Sequence, residues 1–306
     1  MTPMKYVESY DDATAMRSAP SDAGATSDEG GGPPAPLPAP AVCDEVTPLP
    51  QYSRLELRQL QSDADANHAH CWQAISPQEF QVRARSYLRD GQKEPSATGS
   101  LCLAVELFRG PGGPTYDVVA ARADSPAHTL GLRTTAPLVS IFVVNLVIPA
   151  PSDGHYQLVL YFGILAETRV AEGGQTPAAR LLARFTAGSD AFRNARFKLI
   201  PSVAEGPWVV KTGVGSRPSL LGKTLRQRFS RGQTAAGLDY FEAGVDCNSS
   251  PAAGRIVSLV KSYARALTVD LAFAIEAQTA DELPERVIGC VRLLHVDLGE
   301  QRVPSL

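Results

Sequence analysis

Apolar positions along this chain recur mostly with period two or in short unbroken runs, the patterns that β-strands leave in a sequence. The predicted strands are "LCLAVELF" (101–108), "LVSIFVVNLVI" (138–148), "YQLVLYFGIL" (156–165) and "WVVKTGV" (208–214). "YFEAGVD" (240–246), "LTVDLAFAIEA" (267–277) and "VIGCVRLLHVDL" (287–298) follow. In 267–277 the alternation is clean: Val269, Leu271, Phe273 and Ile275 share one face, and Asp270 and Glu276 take the other. "PAPSDGHY" (149–156) has the composition of a hairpin turn between antiparallel strands. Helical signals are fewer. "TPAARLLARFTAG" (176–188) places Pro177 in a first turn and Gly188 at a stop. "SSPAAGRIVSLVKSYARA" (249–266) aligns Ile256, Leu259, Val260 and Tyr263 behind a serine cap and Pro251. Strands outnumber helices and follow one another. The expected class is therefore α+β, a single domain on a mostly antiparallel, curved β-sheet with a few packed helices.

The pattern weakens toward the N-terminus. Residues 1–50 are acidic and rich in Gly and Pro, with too few large apolar side chains to offset ordering entropy, so a disordered tail is expected. Residues 51–70 read as a linker able to form a short helix on Leu55, Leu57 and Leu60, and the domain is expected over 71–300. Composition is ordinary for a folded chain, at 44% apolar and 20% charged. The longest apolar run, 138–150, contains Ser140, Asn145 and Pro149 and falls short of the ~20 residues that span a bilayer. The first residues lack the basic and apolar segments of a secretory signal. Five scattered cysteines without a C-x-x-C pair argue against a disulfide framework and against structural zinc. The expected location is cytoplasmic, with at most a peripheral place on endomembranes.

Catalytic motifs fail on spacing. "SLLGKT" (219–224) ends like a phosphate-binding loop, but the position of its first glycine is Arg217 and Pro218 intervenes. "GVGSRP" (213–218) has Pro218 where a dinucleotide fingerprint has its third glycine, and no G-x-S-x-G elbow occurs. "HAHC" (68–71) lacks a distant partner cluster for a metal, so neither metal nor cofactor is expected. The acids of "IEAQTADELPE" (275–285) read as a solvated loop.

Charge is what remains. The formal net charge is -3, but residues 1–45 carry -6, which leaves the rest mildly basic. Residues 186–231 hold Arg193, Arg196, Lys198, Lys211, Arg217, Lys223, Arg226, Arg228 and Arg231 against only Asp190 and Glu205. One reading is a solvated face with a few internal ion pairs. The other is an anion-binding surface on Arg193, Arg196, Lys198, Lys211, Arg217 and Lys223, with Phe197, Leu199 and Trp208 facing the core. Nucleic acid is not the expected partner, because the nearby aromatics do not interleave with the cations as stacking platforms would.

Several blocks together resemble the C-terminal domain of plant enhanced disease resistance 2 proteins. They are Trp72 with "FQVRARSYLRDGQKEPS" (80–96), which contains Phe80, Arg83 and Tyr87, and then "IFVVNLVIPAP" with "YQLVLYF". "FRNARFKLIPSVAEGPWVVKTGVGSRPSLLGKTL" (192–225) follows, with Pro201, Gly206, Pro207, Trp208 and Gly222. The last block, 239–298, holds Asp246, Pro284 and Gly289. In such plant proteins this domain follows pleckstrin-homology and StAR-related lipid-transfer domains, in a setting of lipids and endomembranes. Here a stand-alone member is expected. The resemblance implies a non-enzymatic lipid-binding or membrane-associated domain whose basic segment meets anionic phospholipid head groups. A protein-interaction scaffold using the Pro-rich segment 33–50 as a ligand, and an enzyme of undefined type, are the alternatives.

Overall fold

A computed structural model describes residues 52–61, 68–111, 119–129, 136–150, 154–166, 175–215 and 217–298. The expected tail over 1–50, with its Pro-rich segment 33–50, lies outside the described residues. The first strands in chain order are β1 (Ser53–Leu55), β2 (Arg58–Gln59), β3 (Cys71–Gln73), β4 (Gln81–Arg83) and β5 (Lys93–Pro95). The long strands β6 (Ser100–Gly110), β7 (Leu138–Pro149), β8 (His155–Leu165) and β9 (Phe197–Glu205) follow. Then come β10 (Ser219–Leu220), β11 (Arg226–Gln233), β12 (Asp239–Asp246), β13 (Thr268–Ile275) and β14 (Val287–Leu294). The helices are α1 (Tyr87–Asp90), α2 (Pro126–Thr129), α3 (Pro177–Ala187), α4 (Asp190–Asn194), α5 (Trp208–Val214) and α6 (Pro251–Tyr263).

The domain is α+β and mostly antiparallel, and its strands divide between two main sheets. One has the order β1-β6-β8-β7-β12-β11 and the other β10-β9-β13-β14-β3-β2. Among the described residues, only the β7–β12 and β2–β3 pairs run parallel. The sheets pack face to face through aromatic rings: Phe162 meets Phe273 with centroids 6.1 Å apart, and Phe142 meets Phe197 at 5.9 Å. At one position the approach is so close that Gly289 of β14 lies directly beneath the Phe162 ring, leaving no room for a Cβ.

Alternation along β13 sorts its residues between two cores. Leu271, Phe273 and Ile275 enter the inter-sheet core, while Ala272 and Ala274 join Ile200 and Cys290 in a cluster with Val82 of β4 and Phe80 just before it. The other sheet also buries its outer face, where Ile141, Val143, Val159 and Tyr161 lie under Val119, Ala120 and Ala127. Buried carboxylates hold that cover. Glu106 takes Arg122 at 2.9 Å, Tyr161 at 2.7 Å and also Arg54, and Glu242 accepts from the Ala120 N–H and from Asn145.

Two expectations are corrected. The described part of 51–70 is extended rather than helical: β1 pairs with β6 and β2 with β3, and Leu55 and Leu60 are buried. Edge pairing outweighs a weak helical pattern there, because burying both leucines is worth more than a few tenths of a kcal/mol of propensity. Residues 208–214 form α5 rather than a strand. Gly206 and Pro207 precede the helix and Gly215, at φ 65, closes it, a start-and-stop signal that overrides the β-branched Val209–Val210 pair. Helix α3 forms as expected, with Thr176 accepting from the Ala179 N–H at 3.1 Å and Leu181 and Phe185 buried.

Candidate functional site

The cations of 186–231 separate into three groups according to where the strands and helices put them. Arg193, on α4, donates to the carbonyl oxygens of Phe185 and Thr186 at 3.0 and 2.7 Å and pairs with Asp190 at 2.8 Å. It thereby satisfies carbonyls at the end of α3 that have no intrahelical partner, and it lies over the Phe229 and Phe241 rings. Arg196 pairs with Glu282 at 2.9 Å and stacks on Phe192. Lys198, on β9, pairs with Glu285 at 2.6 Å with both side chains buried. These three therefore do not face an incoming anion.

The partners of Arg196 and Lys198 come from the loop between β13 and β14, and both carboxylates are almost fully enclosed rather than solvated. Glu285 also accepts from the Ala277 and Arg83 N–H groups at 3.0 and 3.2 Å. Glu282 accepts from the Gln278 N–H at 2.8 Å and pairs with Arg184 at 2.9 Å. Burial pushes the Glu282 carboxyl up, but hydrogen bonds from the loop backbone and the Arg196 and Arg184 charges outweigh it, and the net position is below the usual range. Burial pushes the Lys198 ammonium down, and the Glu285 charge only partly restores it. Arg83 completes the network: it reaches Glu276 at 3.0 Å and stacks on Tyr87.

A second group, Arg226, Arg228 and Arg231, lies on β11 at the edge of its sheet. Cations on an exposed edge discourage strand pairing with another chain, which accounts for them without a ligand. The third group, Lys211, Arg217 and Lys223, is exposed. Lys211 and Lys223 do not converge on one point. The Lys211 Nζ donates to the Ala204 carbonyl, whereas Leu220, three residues before Lys223, pairs with Lys198. Six strand residues separate those positions along β9, about 20 Å.

The remaining resemblance residues are mostly structural. Trp72 and Phe80 are buried, and Pro201 pairs with Leu271 inside the second sheet. Asp246 ends β12 and accepts from the Asn248 N–H, and Pro284 follows a cis peptide bond. Gly222 meets the Asn194 backbone so closely that a Cβ has no space, and Gly289 is filled by Phe162 as described.

Trp208 is the exception. Expected in the core, it is 78% exposed at the start of α5. The corner before it is fixed. Gly206 sits at φ 146, against Leu267 where a side chain would clash, and Val210 is fully buried. Helix α5 then packs on α6, where Gly213 leaves room for Leu259. No side chain of α6 is fully buried, and its Lys261 donates to the Pro149 carbonyl at the end of β7. Six large apolar side chains among the described residues are exposed, and four of them, Trp208, Val209, Ile256 and Tyr263, belong to this helix pair. Residues 206–231 and 249–266 contain no acid. Lys211, Arg217 and Arg255 in these segments are exposed, and Arg265 pairs with Asp297 at 2.7 Å. Sequence reasoning read 249–266 as a helix but missed its outward apolar face. The available signal was Gly-Pro and Gly bracketing a seven-residue segment.

Other chemistry is sparse. Among the described residues no set of three or more His, Cys, Asp or Glu side chains is placed to hold a metal ion. Burial pushes the Cys247 and Cys290 thiols up to about 12, away from reactive thiolate. An apolar cleft of about 470 Å³, counted with its solvent-open space, lies between α3 and residues 285–288, but the Glu285 carboxylate beside it is already taken by Lys198. No helix among the described residues is long and apolar enough to cross a membrane.

The model of the family described as "Protein ENHANCED DISEASE RESISTANCE 2, C-terminal" matches residues 72–297. An Arabidopsis thaliana relative, "Protein ENHANCED DISEASE RESISTANCE 2-like", is 37% identical over 251 residues, which is 81% of this chain and 31% of the relative. The chain thus spans about a third of that relative's length. No solved structure matches.

Proposed function

The chain belongs to the enhanced disease resistance 2 C-terminal family, and on that premise we propose that it is a non-enzymatic, lipid-associated domain that docks peripherally on anionic membrane surfaces. The observation that carries this reading is the α5–α6 face. Exposed Lys211, Arg217 and Arg255 flank exposed apolar side chains within two segments that contain no acid. Each basic residue held near an anionic bilayer contributes roughly 1 kcal/mol, so three acting together give an attraction that matters at low salt and fades at high salt. Arg193, Arg196 and Lys198 take no part, because their charges are already matched by Asp190, Glu282 and Glu285.

Flotation of the full chain with phosphatidylserine-containing vesicles tests this. Binding at low salt, reduced roughly tenfold or more in Lys211→Glu/Arg217→Glu, supports the reading, since each reversal removes an attraction of about 1 kcal/mol and adds a repulsion. No binding at low salt, or binding indifferent to that reversal, overturns it. A scaffold role would instead show as a co-purifying protein with no affinity for vesicles.

A further inference from the structure

We propose that Trp208 and Val209 form a fixed wedge that enters the head-group region of an anionic bilayer, with α6 lying along the surface beside it. The inference rests on the membrane reading above and specifies its contact. The other tryptophan, Trp72, is 4% exposed, yet Trp208 is 78% exposed. An indole left in water is a large apolar area without a packing partner, and Val209 beside it and Ile256 and Tyr263 on the helix that packs on α5 are exposed as well. The backbone that carries Trp208 is held in place: the Gly206 corner, buried Val210 and the Gly213–Leu259 contact anchor α5 against the fold. Little conformational freedom is therefore lost on insertion, which favours binding.

The occupant follows from the chemistry. Tryptophan, with an apolar body and one N–H donor, suits the boundary between acyl chains and water. The charges nearest along the chain are Lys211 on α5, Arg217 after it, and Arg255 and Lys261 on α6, with Arg265 held by Asp297; the one acid before the corner, Glu205, accepts from the Thr268 hydroxyl. A second copy of the chain on this face would bring like charges together, whereas an anionic surface complements both the apolar and the charged groups. Interfacial helices of this kind enter roughly 5–10 Å.

The two tryptophans make the test direct. Trp72 is enclosed, so changes in emission on adding vesicles report Trp208. The full chain is titrated with phosphatidylcholine vesicles with and without phosphatidylserine, some carrying lipids brominated at graded depths. The expected result is a blue shift and quenching strongest for shallow bromines, only when phosphatidylserine is present, and absent in Trp208→Phe. Trp208→Ala is expected to weaken partition about tenfold or more, the scale on which burying a large aromatic acts. Binding without a shift or quenching, or a shift that persists in Trp208→Phe, overturns the wedge and leaves peripheral docking intact. No binding at all overturns both. A concentration-dependent blue shift without vesicles assigns the face to a second copy and also overturns the wedge.

Discussion

Arg193, Arg196 and Lys198 stand within one short stretch of chain with Trp208 and Lys211, and the two groups have opposite fates. The first group meets carboxylates and carbonyls inside the fold: Glu282 and Glu285 lie more than eighty residues away in sequence yet within 3 Å in space. The second projects from a corner into solvent. A run of cations therefore measures nothing about surface charge until its partners are placed. For Arg196 and Lys198 those partners are Glu282 and Glu285, and together the two pairs are a buried clamp joining the start of β9 to the β13–β14 loop. What is left over for a ligand is the part with no acid to meet it.

The largest expected effect breaks the clamp. Glu285→Ala leaves Lys198 charged and buried and removes the acceptor for two backbone N–H groups, and loss of one partner of a buried pair costs about 3–5 kcal/mol. Denaturant unfolding reads this directly. The Lys198 proton is already held less tightly than in solution, so the variant is expected to regain stability as pH rises and the lysine discharges. Gly289→Val, which forces a side chain into Phe162, is expected to cost about 1–3 kcal/mol through overpacking between the sheets.

A smaller effect follows from Glu282. Its folded-state pKa lies below the unfolded value of 4.5, so its contribution is present above that value and is lost as pH falls through the folded pKa. Glu282→Gln is expected to lower stability near neutral pH and to flatten the acid limb of a pH–stability profile. The smallest effect on stability belongs to the other region. Trp208→Ala is expected to shift unfolding by no more than about 0.5 kcal/mol, as exposed substitutions do. A loss of several kcal/mol there would mean that Trp208 is structural after all.

Much of the fold was legible because its signals are local. The alternation of 267–277, the hairpin at 149–156 and the capped 176–188 helix each depend on residues close in sequence. The division into two sheets was not, because Leu271 and Ala272 are both buried and alternation alone does not say what covers each face. The candidate site was half legible. Lys211 and Arg217 lie where charge counting put them, on the surface, but Lys198 does not, since only the tertiary fold brings Glu285 to it. Trp208 was misplaced because Val209–Val210 imitates a strand, and the Gly-Pro corner that lifts it outward carries no hydrophobic signature.

Hydrogen–deuterium exchange of the full chain, alone and on phosphatidylserine vesicles, tests the contrast between the two regions in one experiment. The account predicts new protection over 208–214 and 251–263, with exchange over 193–200 and 276–285 unchanged. Protection that appears at 193–200 and 276–285, while α5 and α6 exchange as they do in solution, would contradict it.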